Sequence, residues 1–224
     1  MIGVASARLV RALTAAASAL EVSADELNRL DGYAGDGDLG ITMSEASRAL
    51  KEVLAANRHM ETSQLLSTCG ATIARKAPST SGTLVATGFL RAARAVADGA
   101  GTDGAGTDVQ TLERAFAAAT AGIQARGKAA LGDRTLVDGL DAVCTSLRES
   151  VGTGHGLGEA LHFAAEAASA AADRTVDMEP KVGRASWVPQ RAAGHPDAGC
   201  AMLAIVLWAI ADEITAGGAA PAGG

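Results

Sequence analysis

The sequence predicts an all-α protein: an antiparallel up-and-down bundle or barrel of about eight helices. Three observations predict it. Hydrophobic residues make up 48% of the 224 residues and aromatics only 3%, so small aliphatic side chains, alanine above all, fill the core. Alanine is the best helix former because it loses no side-chain entropy and buries no polar group. Apolar residues recur at helical spacing along most of the chain, and strand alternation is not found. Connections are short apart from the tracts 99–107 and 174–196, and short links make sequence neighbours antiparallel neighbours.

The elements follow in order. Leu9, Leu13, Ala16 and Leu20 form the stripe of a first helix. Ser23 and Glu26 have the spacing of a capping box and predict a short helix ending near Leu30. The stretch Asp31-Gly-Tyr-Ala-Gly-Asp36-Gly-Asp38-Leu-Gly40 is too glycine-rich to continue it. Further helices are predicted at about 42–57, 62–77, 81–97, 108–126, 135–150, 157–173 and 198–214. Leu136, Val137, Leu140, Val143, Cys144 and Leu147 show the periodicity most clearly, on one face. Residues 1–216 are expected to form a single domain, followed by a disordered tail at 217–224. No internal repeat is found.

The formal charge of −6 argues against nucleic acid or an anionic membrane as partner, since both call for a basic face. Cys69, Cys144 and Cys200 are odd in number and widely spaced. They read as buried small hydrophobes in a reducing cytoplasm rather than as a metal or disulfide set. Arg8 and Arg11 interrupt the only early apolar stretch, so no signal peptide is expected. The apolar run from Cys200 to Ala211 is too short to span a bilayer and reads as a core helix. Trp208 is placed in that core.

Four loops combine glycine, aspartate and hydroxyl residues, at 31–42, 78–83, 132–138 and 183–199. Loops at one end of an antiparallel bundle can converge on a single site. In the first, glycines free Asp36 and Asp38 to converge with Asp31. Two carboxylates about 5 Å apart repel by roughly 3 kcal/mol at an effective dielectric of 20, so three require either solvation or a cation. Oxygen donors with no histidine or cysteine beside them favour magnesium over zinc. A polar Asp-Gly surface turn is the alternative. A calcium-binding EF-hand loop is excluded, because Ile41 and Ser47 stand at its glycine and glutamate positions.

Pro78-Ser79-Thr80-Ser81-Gly82-Thr83 precedes a helix. It can seat a phosphate on unpaired N–H groups, or serve only as a cap through Ser79 or Ser81. The Gly-x-Gly-x-x-Gly pattern at Gly99–Gly104 follows no strand and is rejected as a dinucleotide fingerprint. In Gly132-Asp133-Arg134-Thr135, Asp133 or Thr135 can cap the next helix. Arg184 can clamp a phosphate or form a surface ion pair. His195 can act as a base or as a loop cap.

Taken in this order, the four loops resemble the nucleotide-binding L subunit, or L domain, of dihydroxyacetone kinases. That family carries Asp…Gly-Asp-Gly-Asp-His-Gly, Ser-Gly-x-Leu at a helix start, Gly-Asp-Lys-Thr, Gly-Arg-Ala-Ser-Tyr and Gly-His-x-Asp-Pro-Gly. The counterparts here are Asp31 with Gly35-Asp36-Gly37-Asp38-Leu39-Gly40, Ser81-Gly82-Thr83-Leu84, Gly132-Asp133-Arg134-Thr135, Gly183-Arg184-Ala185-Ser186-Trp187 and Gly194-His195-Pro196-Asp197-Ala198-Gly199. The match covers nearly the whole chain.

The resemblance implies an eight-helix antiparallel barrel with ATP or ADP at one end. Two magnesium ions would join Asp31, Asp36 and Asp38 to the phosphates, and these aspartates with Arg184 would carry the chemistry. Nucleotide contacts are implied at Leu39, Thr42, Thr80, Ser81, Gly82, Gly132, Thr135, Leu136, Arg184 and Asp197. Leu39 stands for the family's histidine, Thr42 for a common asparagine, Trp187 for tyrosine and Ala198 for proline. The side chain of residue 39 is accordingly expected to face the phosphates.

Transfer to a short keto-sugar held on a separate K subunit is the implied activity, with free ATP or a phosphotransferase-system M subunit as donor. A fatty-acid-kinase-like nucleotide domain and a non-catalytic nucleotide-sensing adaptor are the alternatives, the latter favoured by Leu39. A cytoplasmic place in glycerol metabolism is expected, with no nucleic acid or membrane partner.

Overall fold

A computed structural model of the chain describes residues 2–99 and 108–218, with side chains from 7 to 217 within those limits. Ten α-helices occur among them: α1 Ile2–Val22, α2 Ala24–Ala34, α3 Leu39–Ala56, α4 Thr62–Lys76, α5 Thr80–Gly99, α6 Asp108–Gly127, α7 Leu136–Thr153, α8 Leu157–Arg174, α9 Pro189–Ala192 and α10 Ala198–Gly218. Two 3-10 turns, Thr175–Asp177 and Arg184–Trp187, interrupt the long connection after α8. No strand occurs among the described residues.

Eight of the helices close a ring. α1 packs on α3, α3 on α4, α4 on α5, α5 on α6, α6 on α7, α7 on α8, α8 on α10, and α10 again on α1. With short links, successive members alternate in direction, giving the antiparallel barrel the sequence predicts. The starts of α3, α5, α7 and α10 therefore share one end with the C-terminus of α1. The short α2 packs at that end, on α3, α10 and α9.

The barrel wall is built from small side chains. On α8, Ala160, Ala164, Ala165 and Ala168 are fully buried and meet Leu147 of α7 and Leu207 of α10. Alanine lets the helices approach closely, and each enclosed leucine removed would cost about 2–5 kcal/mol. Cys69, Cys144 and Cys200 are buried free thiols, as expected. Trp208 is only partly buried against this core, and its Nε1 donates to Ser169 Oγ at 2.9 Å. α10 is longer than the apolar run Cys200–Ala211 suggested: Ala198–Gly217 is long and apolar enough, by length and composition only, to cross a membrane. Even so, Cys200, Leu203, Leu207 and Ala211 are buried in the barrel wall.

Three local expectations are corrected. Ser23 makes no side-chain cap. The chain passes almost helically from α1 into α2, with Ser23 N–H on Ala19 O and Leu27 N–H on Ser23 O, so carbonyls of the preceding turns satisfy the donors a cap would serve. Glu26 pairs with Arg29 instead. Next, α2 runs through Asp31 and Gly32 to Ala34, because burial of Leu27 and Leu30 outweighs the low helix propensity of Gly32. Finally, Gly217 and Gly218 belong to α10, while 219–224 lie outside the described residues, as do Gly101 and Gly104 of the rejected glycine pattern.

Candidate functional site

The floor of the site is a small apolar cluster that ties together the helices carrying the loops. Leu20, Leu27, Leu39, Met43 and Met202 form it, with Val85, Leu136 and Ala198 packed against it. Leu20 and Leu27 come from α1 and α2, Leu39 and Met43 from the start of α3, Val85 and Leu136 from α5 and α7, and Ala198 and Met202 from the start of α10.

Above this floor Asp31, on the last turn of α2, folds the aspartate loop back on itself. Its Oδ2 accepts the N–H groups of Gly37 at 2.8 Å and Asp38 at 3.1 Å. One oxygen from each of Asp31, Asp36 and Asp38 then lies within 4.8 Å of the others, with Asp36 and Asp38 exposed. Arg184 Nη1, in the 3-10 turn after α8, ion-pairs with Asp36 Oδ2. The guanidinium's hydrogen bond holds the Asp36 carboxyl below its usual range. Partial desolvation, and then the charges of Asp36 and Asp31, push Asp38 up. Such an all-oxygen, anion-crowded and partly open donor set fits a hard divalent cation that keeps waters and binds phosphate oxygens.

The start of α3 is pinned by a residue that sequence reasoning missed. Asn28 Oδ1 accepts Gly40 N–H at 2.7 Å and Ile41 N–H at 3.1 Å, from twelve residues away in the chain. Only glycine fits at 40, because a Cβ there would stand 1.9 Å from Ala24 O. Leu39 overturns the expectation that its side chain faces phosphates: it is 4% exposed, in the apolar floor. The buried face of α3 runs Leu39, Met43, Ala46, Leu50, Leu54, so helix phase fixes the direction of residue 39. Thr42 is likewise buried. Leu39 can offer a ligand only its backbone N–H.

At α5, the cap is Ser79. Its Oγ accepts Gly82 N–H at 3.0 Å and its carbonyl accepts Thr83 N–H at 2.9 Å. Gly82 must lack a side chain, since a Cβ would meet Ala77 O at 2.0 Å. Among the described residues no acceptor is found for the N–H groups of Thr80 and Ser81, so the helix start presents free donors at its positive dipole end.

The starts of α7 and α10 are, by contrast, self-capped. Thr135 Oγ1 accepts Val137 N–H at 3.2 Å, and Asp138 accepts Thr135 N–H at 2.8 Å and Gly132 N–H at 2.6 Å. Asp133 instead accepts Ala130 N–H. Leu136 packs on the floor. Asp197 Oδ1 accepts Cys200 N–H at 2.9 Å and so caps α10. Desolvation pushes its carboxyl up to about 6. His195 lies flat on Tyr33, ring centroids 3.5 Å apart.

Residues 33–212 match the DAK2 domain family. The chain belongs to that family. This DAK2 domain is 36% identical over 216 residues to the D-erythrulose kinase of Mycolicibacterium smegmatis, covering 95% of the chain and 36% of that protein. It is 35% identical over 213 residues to the human triokinase/FMN cyclase, again covering 95% and 36%. It thus spans about a third of the length of these curated relatives. The ADP-binding subunit DhaL of the PEP-dependent dihydroxyacetone kinase of Escherichia coli is 29% identical over 204 residues, covering 91% of the chain and 95% of that subunit. The crystal structure of the dihydroxyacetone kinase of C. freundii in complex with AMP-PNP and Mg2+ matches with a TM-score of 0.70 at 26% identity, covering 93% of this chain and 34% of that one. The L-subunit resemblance read from the four loops therefore holds, and with it the all-α fold.

Proposed function

We propose that this DAK2 domain is the nucleotide-binding part of a dihydroxyacetone-type keto-sugar kinase. It holds ATP or ADP with two magnesium ions and serves phosphoryl transfer to a short keto-sugar carried on a separate K subunit or a K domain. The observation that carries the reading is the meeting of three carboxylates, within 4.8 Å, with Arg184 and with an α5 start whose N–H groups are free at the same end of the barrel.

Asp31, Asp36 and Asp38 hold the cation side of the site. The N–H groups of Thr80 and Ser81 and the Ser81 hydroxyl donate to phosphate oxygens, and Gly82 permits the close approach. Bound magnesium neutralises charge on the phosphates. Arg184 moves from Asp36 to the phosphoryl group, where a guanidinium stabilises the charge spread over its oxygens. Gly132, Thr135, Leu136 and Asp197 would shape the nucleoside end through backbone and packing, because Thr135 Oγ1 and Asp197 Oδ1 are engaged in capping. Phosphoryl transfer is largely positioning and charge neutralisation, and this donor set supplies both.

The barrel end around the site supports a partner. Val22, Ile41, Leu131 and Trp187, four of the six large hydrophobics exposed among the described residues, lie there. Leu39, the feature that favours a non-catalytic adaptor, is buried in the apolar floor and packs rather than facing the site. Reconstitution with a K subunit, magnesium, ATP and a panel of keto-sugars tests the reading in a cytoplasm-like buffer. Sugar-dependent ADP release supports it, and none with any sugar refutes it. Replacing ATP by ADP with a phosphorylated M subunit identifies the donor.

A further inference from the structure

Arg134 is a charged residue where charge is costly. It is 4% exposed, its φ is +60°, in the left-handed region, and no carboxylate among the described residues ion-pairs with it. Its partners are backbone carbonyls. Nε donates to Thr175 O at 2.8 Å, and Nη2 donates to Ala192 O and His195 O at 2.6 Å each. The Asp197 carboxyl is near enough to feel its charge but does not ion-pair with it. Burying a guanidinium chiefly against carbonyls, on strained backbone, is retained only where the surroundings require it.

The three carbonyls reveal what is required. Thr175 closes α8, while Ala192 and His195 precede α10. One planar fork thus brings together both feet of the loop that carries Arg184 and Trp187. Other bonds lock the same junction: Thr175 Oγ1 accepts Asp197 N–H at 2.8 Å, Lys181 N–H donates to Asp133 O at 3.2 Å, and Cys200 Sγ donates to Thr135 O at 3.1 Å. The loop's middle touches the aspartate loop through Arg184 on Asp36 and through Arg191, whose Nη2 donates to Gly32 O at 2.8 Å.

We propose that Arg134 is a positioning residue: its guanidinium clamps both feet of the 175–197 loop and so aims Arg184 at the carboxylate cluster. A loop whose ends are fixed samples fewer conformations, and a fork holds three acceptors where an ammonium on a flexible stem does not. The ligand readout rests on the nucleotide reading above; the loop readout does not.

The test uses the full chain with Trp208→Phe, which leaves Trp187 as the single tryptophan. In that background Arg134→Met and Arg134→Lys are expected to lower the time-resolved anisotropy of Trp187, the lysine variant less. Unchanged anisotropy in both overturns the clamp. Titration calorimetry with Mg–ADP is then run as a double-mutant cycle with Arg184→Met. Each single loss is expected to weaken binding about tenfold, and adding Arg134→Met or Arg134→Lys to Arg184→Met to weaken it less than about threefold further. Additive losses would show a purely structural role. If Arg134→Met does not fold, the lysine variant carries both readouts. If the parent itself binds no Mg–ADP, the nucleotide reading fails while the anisotropy still decides the clamp.

Discussion

Replacing Leu39 by histidine restores the residue the wider family carries, and its outcome separates motif matching from packing. Leu39 is 4% exposed among Leu20, Leu27, Met43 and Met202. Removing a buried leucine forfeits about 1.5–3 kcal/mol of apolar burial. An imidazole with unsatisfied nitrogens in the same place costs about 1–3 kcal/mol more. The sum, about 2.5–6 kcal/mol, should lower the melting temperature by roughly 5–24 °C, at about 2–4 °C per kcal/mol for a chain of this size.

The loss should also depend on pH. A buried histidine is held neutral, so its folded pKa falls below the unfolded value near 6.5. The unfolded chain then binds the extra proton first, and stability declines as pH drops through 6.5. Melts at pH 8 and pH 5.5 should show a larger gap from the parent at pH 5.5, whereas Leu39→Met should stay within about 1.5 kcal/mol at both. An unchanged, pH-independent melt for Leu39→His, with a raised rate of phosphoryl transfer, would refute the buried placement and restore a phosphate-facing role.

Asp38→Asn should leave the apo fold intact and slightly more heat-stable, since it relieves crowding by Asp36 and Asp31, yet it should abolish stabilisation by Mg–ADP in a thermal melt. Arg184→Met should tighten binding of magnesium alone, because a competing cation leaves Asp36, but weaken Mg–ADP about tenfold; calorimetry showing both moving in the same direction would argue against the exchange. Ser79→Ala should cost about 1 kcal/mol through loss of the α5 cap, while Ser81→Ala should leave the melt unchanged and weaken Mg–ADP. Asp197, raised from 3.8 to about 6, keeps its proton better folded than unfolded, so apo stability should fall as pH rises from about 4 to 6 and level off above. Asp197→Asn retains a capping side chain and should remove that slope, gaining at most about 3 kcal/mol at pH 7.

Much of the architecture was legible because it is local. Period-3.6 stripes and short links are sequence-neighbour properties, and they suffice to give the helices and their alternation. The carboxylate cluster was legible for the same reason, since Asp31, Asp36 and Asp38 lie close together in the chain, although Asp31 belongs to α2. What failed was non-local or directional. Asn28 caps a helix start from far up the chain, and Arg134 holds carbonyls beyond α8, so no local spacing announces either. The extension of α2 through Gly32 came from packing of Leu27 and Leu30 that local propensity does not contain. Leu39 was aligned by its letter with a phosphate-side histidine. Its helix phase with Met43 and Leu50, which was available in the sequence, pointed it inward.

The seam between α1 and α10 bears on how the molecule is made. Six joints of the ring link helices that precede α10, but the joints of α10 with α8 and with α1 wait for it to leave the ribosome, and only the second spans the chain from end to end of the ring. Until then α1 has α3 on one side only, the cluster around Leu20 lacks Met202, and α2 lacks its contact with α10. This one high-separation joint sets the contact order and should be the slow, late step of folding. The loop carrying Arg184 lies just before α10, so nucleotide binding should emerge only as the ring shuts. An emerging chain would therefore expose its apolar inner face without yet having a ligand to protect it.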